Sequence, residues 1–348
     1  MKKIYNLLFL SAFLVFVAGC QPQTPVHNNT DIMPVILLVP HYPLEQADKE
    51  FFKRVNPYGF LLSIPRHRDM DPNQLRKELE TVLGRNDFLF FLDQEGGSVN
   101  RLRQFDPTFR SPAANYYGEV AKENVDKAIS LAREEGIKTG KALKKLSIDV
   151  VFAPVADIID SDNVFRRERY YSADPKVSKA LSDAFAIGLA EGGVIPCYKH
   201  FVGFPTEQDS HRYVPEIDAS VEAIEAKLPA FEESKKYGCL MTEHAVYSAI
   251  DKHYVSTYSS DFYKFVRNKF RFEGLVITDA LNMVAAGGPN PNAVGYRMNN
   301  ALAAGADIVM PFFPMYASTQ FKEEKLRQIK PEYIKRFQSR VHLLKRPN

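Results

Sequence analysis

The chain has 348 residues, 45% of them apolar and 25% charged, and a formal net charge of +3 to which Lys2 and Lys3 both contribute. Such a composition is ordinary for a folded globular protein. A charge so near balance supplies no basic face or stripe and excludes a nucleic-acid binder. The length allows one large domain or two small ones.

Residues 1–20 form a separate object. MKK is a basic n-region, IYNLLFLSAFLVFV an apolar stretch, and VAGC a processing-type end at Cys20. The apolar run falls short of the roughly 18 residues of a spanning helix. This leader resembles a bacterial lipoprotein signal, which implies a lipid anchor on Cys20. With Gln21 behind the cysteine, it implies an envelope location facing the periplasm from an outer membrane. Residues 21–31, polar with two prolines, read as a tether.

Short apolar stretches then alternate with helical patterns. Strands are predicted at 33–39, 58–65, 87–93, 147–157, 193–201, 238–246, 274–280 and 306–313. Helices are predicted over 71–84, opened by Asp71 and Pro72, and over 120–146, 174–191, 219–236 and 260–270. Further helical segments precede 306 and run to the C-terminus. Residues 104–118 read as a loop. Cys197 and Cys239 lie in apolar strand-like runs and are expected as buried thiols, with a disulfide as the alternative in an oxidising envelope.

Eight apolar strands separated by helices predict a parallel sheet covered on both faces. An open doubly wound sheet would ordinarily begin with a glycine-rich turn, and none follows the first strand. Asp93, Asp157, Lys199, His200, Glu243, His244 and Asp279 all fall at C-terminal strand ends. Only a closed barrel brings all those ends to one rim, so residues 32–348 are predicted to be a single (β/α)8 TIM barrel, some of its strands irregular.

Chemistry concentrates in CYKHFVGFPTEQDSH, residues 197–211. Asp209 and His211 are two apart, so an extended loop presents both on one side. The carboxylate would orient the imidazole and favour its protonated form, as a general acid requires. Lys199 and His200 read as donors for substrate oxygens, with a satisfied structural histidine as the alternative for His200. Asp279, at the end of GLVITDA, is a candidate nucleophile or electrostatic stabiliser, or simply a helix cap. In LDQEGGSVNRLR, Asp93 and Arg101 flank a glycine pair and offer a carboxylate for paired hydroxyls and a forked cation. Among Arg166, Arg167 and Arg169 the residues alone make no choice. A zinc site of His200, His211, His244 and rim carboxylates lacks any recognised ligand spacing, so no metal or cofactor is expected.

LDQEGGSVNRLR, VFAPVADI, CYKHFVGF with DSH, LMTEHAVYSAID, FEGLVITDALNM and ALAAGADIVM, in that order over residues 33–312, resemble the signatures of family 3 glycoside hydrolases. The nearest pattern is the bacterial β-N-acetylhexosaminidase branch. The resemblance implies a (β/α)8 barrel releasing terminal N-acetylglucosamine from muropeptides and related oligosaccharides. It implies Asp279 as nucleophile, His211 as acid/base, Asp209 as its partner, and Asp93, Arg101, Arg169, Lys199 and His200 around the innermost sugar.

The chain departs from the family pattern in three places. KHFVGFPTEQ replaces the usual KHFPGHGDT before DSH, Ala280 stands where a second Asp usually follows the nucleophile, and Arg167, Glu168, Arg169 and Tyr170 replace Gly-Asp-Arg-Ser. No catalytic group is lost. A catalytically silent sugar-binding lipoprotein and a family 3 β-glucosidase are the competing readings; the DSH dyad speaks against the second. A monomer is expected.

Overall fold

The structure is a computed structural model describing residues 31–62, 70–158, 167–203, 209–288, 290, 293–312 and 329–345. Cys20 with its leader, tether residues 21–30, Arg166 and residues 204–208 of the altered loop lie outside the described residues.

The barrel strands are β1 (Met33–Leu38), β2 (Pro57–Leu61), β3 (Leu89–Leu92), β4 (Val150–Val151), β5 (Ile195–Pro196), β6 (Tyr198–Phe201), β7 (Cys239–Thr242), β8 (Leu275–Ala280) and β9 (Ile308–Met310). They pair in the order β5-β4-β3-β2-β1-β9-β8-β7-β6, every pair parallel. The two ends of this sheet, β5 and β6, are consecutive stretches separated by Cys197 alone. They act as one interrupted strand, which closes the ring as the eight-stranded barrel predicted from sequence. Each predicted strand overlaps an observed one.

Alternation sorts the strand residues into two sets. Leu89 and Phe91, Ile195 and Cys197, Cys239 and Met241, and Leu275 and Ile277 fill the barrel interior. Their neighbours Phe90, Tyr198, Leu240 and Val276 pack outward under the helices. Phe337 and Leu344, from the C-terminal segment, join the interior cluster, Phe337 packing edge-on against Tyr58 at 4.8 Å.

The helices follow the expected caps where those were legible. In α2 (Pro72–Leu83) the Asp71 carboxylate accepts from Asn73 N–H at 2.9 Å. In α5 (Pro175–Glu191) Asp174 accepts from Lys176 and Val177. The helix α1 (Gln46–Val55) was not anticipated.

Four expectations need correction. The pattern over 120–146 is two helices, α3 (Ala114–Glu123) and α4 (Val125–Lys145), broken where Asn124 turns to extended backbone and caps α4. Residues 114–118, expected in a loop, belong to α3. The single helix expected over 219–236 is α6 (Val221–Glu225), a 3-10 turn at Leu228–Phe231 and α7 (Ser234–Tyr237). Pro229, which has no N–H to continue the ladder, sits in that break. Cys197 and Cys239 are not thiols: they form a buried disulfide with Cα atoms 4.7 Å apart. Adjacent strands β6 and β7 bring them together.

Candidate active site

The site grows out of the barrel's own alternation. Continue each inward-facing column by one step past its apolar residues and the side chain becomes ionisable. Leu89 and Phe91 lead to Asp93, Ile195 and Cys197 to Lys199, Cys239 and Met241 to Glu243, and Leu275 and Ile277 to Asp279. Strand order places them round the rim as Asp93, Lys199, Glu243 and Asp279.

Lys199 is 4% exposed, with its Nζ 2.8 Å from Asp93 and 2.6 Å from Glu95. Burial alone would depress its pKa, but the two carboxylates outweigh that and hold it above the ordinary 10.5. Glu95 was missed in the sequence. Its buried carboxylate takes two parallel bonds from Arg169, at 2.7 and 2.8 Å, as well as the Lys199 contact. Burial opposes ionisation of Glu95, yet Arg169 and Lys199 hold the carboxyl far below the usual range. One signal was available: Glu95 is two positions from Asp93, on the same side of an extended ribbon. Gly96 and Gly97, at φ 95° and 54°, then reverse the chain, and a Cβ on Gly96 would lie 2.1 Å from Pro112 O. The expected tight turn is present.

Asp157 grips His200 twice, accepting its backbone N–H at 3.0 Å and facing Nδ1 at 2.9 Å. That leaves Nε2 as the ring atom for a ligand. The Lys199–His200 and Phe201–Val202 peptides are cis. Asp209 and His211 make the predicted contact, Oδ1 lying 2.8 Å from Nδ1 and 3.0 Å from the His211 backbone N, but through a turn closed on the Asp209 carbonyl and not the extended loop expected. His211 is 68% exposed. Its loop is tied to the segment after Asp279 by Ala285 N–H donating to Ser210 O at 3.1 Å.

Burial pushes the Asp279 carboxyl up, but His200, His244, the Ala280 N–H and Lys199 bring it below its ordinary 3.8. It is therefore an anion at neutral pH, as a nucleophile must be. Arg101 has no hydrogen bond or ion pair joining it to these groups among the described residues, and its Nε is buried without a partner.

Both nitrogens of His244 are engaged, Nδ1 with Thr257 and Nε2 with the Ala280 carbonyl, which removes it from any metal set with His200 and His211. A different cluster, His41, Glu45 and Asp48, brings ligand atoms within 4.8 Å of one another. The reciprocal capping bonds at the start of α1 account for its two carboxylates.

A closed barrel whose C-terminal rim sets carboxylates beside buried cations and a histidine–carboxylate dyad carries the kinds of group that the barrel hydrolases of glycosides use. Residues 67–342 match the glycosyl hydrolase family 3 N-terminal domain. The chain belongs to glycosyl hydrolase family 3. A beta-hexosaminidase of Psychromonas ingrahamii is 30% identical over 286 residues, spanning 80% of this chain and 82% of that protein. One of Chromobacterium violaceum is 31% identical over 226 residues, 64% of this chain and 62% of the relative. NagZ of Neisseria gonorrhoeae, solved in complex with N-trifluoroacetyl-D-glucosamine, aligns at a TM-score of 0.74 with 25% identity and 91% of each chain covered.

Proposed function

We propose that the chain is an exo-acting retaining β-N-acetylhexosaminidase that frees terminal N-acetylglucosamine from peptidoglycan fragments or related glycosides. The observation that carries this is the pairing of an anionic Asp279 on the rim with an Asp209–His211 dyad whose loop is bonded to the segment just beyond it. The names of the relatives and the amino sugar held by the Neisseria protein support the same substrate class.

In the first step Asp279 attacks C1 while His211, its Nδ1 held by Asp209, passes a proton from Nε2 to the departing glycosidic oxygen. The bond to the aglycone breaks and an Asp279–sugar ester forms. In the second step His211 takes a proton from water, the oxygen of that water attacks C1, and the Asp279 carboxylate leaves with the C1–O bond electrons. Asp93, Lys199 and His200 hold the sugar hydroxyls, Arg169 and Arg101 contribute cations, and Glu95 and Asp157 keep Lys199, Arg169 and His200 in place.

The same reading puts the protein in the bacterial envelope, lipid-anchored through Cys20. The leader supports this, and so does the buried Cys197–Cys239 disulfide, a bond that persists in oxidising compartments. Among the described residues no helix is long and apolar enough to cross a membrane.

An aryl N-acetyl-β-glucosaminide tests the proposal. The chain releases the chromophore, and releases it more slowly from the aryl β-glucoside. Failure to cleave either compound or purified muropeptides would leave a sugar-binding lipoprotein as the answer.

A further inference from the structure

Glu243 is a rim residue that the mechanism above does not use. In the parallel pair β7 and β8, Thr242 is registered with Thr278, so the next positions, Glu243 and Asp279, lie side by side on adjacent strands. Neighbouring strands are about 4.8 Å apart. Both residues continue columns that point into the barrel, through Met241 and Ile277. On its other flank Glu243 has β6, which carries Lys199 and His200. It therefore stands between the nucleophile and the cations assigned to the sugar hydroxyls.

Its own partners are unlike those of the other rim carboxylates. Glu95 has Arg169 and Lys199, and Asp157 has His200. Among the described residues no cation is paired with Glu243. Instead the buried Tyr247 hydroxyl donates to Glu243 Oε1, and Tyr247 in turn accepts from Val202 N–H at 3.4 Å. No hydrogen bond to Oε2 is formed among the described residues, and Glu243 is partly exposed. Burial, then the charges of Asp157 and Asp279, raise this carboxyl well above 4.5. A carboxyl raised in this way holds its proton to higher pH than an ordinary one and can donate it.

We propose that Glu243 contacts the innermost sugar, donating from Oε2 to the carbonyl of the 2-acetamido group, and so sets the preference for 2-acetamido sugars over plain glucosides. This rests on the hexosaminidase reading and extends it. Asp279 addresses C1, and the cations beyond Glu243 address hydroxyls farther round the ring. The residue between them faces the substituent on the carbon next to C1. An amide carbonyl reaches outward and accepts strongly, whereas a glucoside offers only a short hydroxyl there.

The test is kcat/KM of the full chain on the aryl N-acetyl-β-glucosaminide and the aryl β-glucoside, for wild type, Glu243→Gln, Glu243→Ala and Glu243→Met. A side-chain amide donates as a neutral acid does, so Glu243→Gln keeps the ratio of the two constants within about threefold. Loss of the donor in Glu243→Ala lowers the ratio about tenfold or more. Glu243→Met does the same while filling the space, and serves if the alanine chain fails to fold. A ratio unmoved in both apolar variants, or one that collapses equally in Glu243→Gln, overturns this inference alone. Wild type that cleaves neither compound, or the glucoside only, overturns the hexosaminidase reading and this inference with it.

Discussion

Arg169 meets Glu95 through two parallel N–H···O bonds of 2.7 and 2.8 Å, and the carboxylate that receives them also lies 2.6 Å from the Lys199 ammonium. One buried anion thus fixes two cations that arrive from separate segments of the chain. Fork-to-fork pairing of this kind supplies orientation as well as energy.

Replacing that anion should therefore cost both fold and function. Glu95→Gln leaves two buried cations under-compensated and is expected to destabilise the protein by about 3 kcal/mol, with kcat/KM falling at least about tenfold. The Glu95 carboxyl titrates below its unfolded value, so its contribution is fully present above that value and is lost as pH falls through the folded one. Urea titrations at neutral and acid pH should show the gap between wild type and variant narrowing as pH drops. A gap that stays constant would contradict the pairing.

In the proposed mechanism Asp279 carries the covalent step, and its hydrogen bond in the fold is a local one from the Ala280 N–H. Asp279→Asn is expected to reduce kcat by about 1,000-fold or more while leaving the circular dichroism spectrum and urea midpoint near wild type. Turnover within tenfold of wild type would remove Asp279 from the nucleophile's role.

The dyad makes a graded prediction. His211→Ala removes the proposed proton donor and should slow substrates with poor leaving groups by about 100-fold or more, with a smaller loss on activated aryl glycosides. Asp209→Asn keeps the imidazole but loses the carboxylate that orients it, and should fall between that variant and wild type. Equal losses on good and poor leaving groups would count against His211 as the acid.

Stability should also register Glu243. Its carboxyl titrates above the unfolded value of 4.5. Between the two values the folded chain holds a proton that the unfolded chain has released, so this group weakens the fold as pH rises. Glu243→Gln removes the effect. Relative to wild type it should gain stability from about pH 4 toward neutrality, read by urea midpoints across that range. A difference that shrinks toward neutrality would show the acid to be ionised in the fold.

The disulfide closes a loop across 42 positions of sequence. Cys197→Ala with Cys239→Ala is expected to cost about 4 kcal/mol by restoring freedom to the unfolded chain. Denaturant unfolding of the double variant against the oxidised protein measures it.

Much of the architecture is legible in one dimension because its signals are local. Continuous apolar runs of strand length, separated by capped amphipathic stretches, marked all eight barrel strands and most of the helices. Their ionisable ends marked the rim. Asp209 and His211 were readable as a pair from their spacing, although the structure joins them in a turn closed by Arg212 and Tyr213 N–H on the Asp209 carbonyl and not in the extended loop expected. The failures were local as well: Asn124 broke one expected helix by capping its second half, and Pro229 lies where another is interrupted.

Tertiary structure alone decided which rim groups face one another. Glu95 lies 74 positions from Arg169, and Asp157 lies 43 from His200. No pattern along the chain joins them; parallel pairing does, by placing β3 and the β5–β6 strand on either side of β4. The Cys197–Cys239 bond and the pairing of Glu243 with Asp279 follow equally from strand order and register. Sequence by itself determined which residue types arrive at the rim. Register and closure determined their neighbours, and with them which carboxyl titrates below its ordinary range and which above it, because a charge in a buried site is governed by what stands beside it.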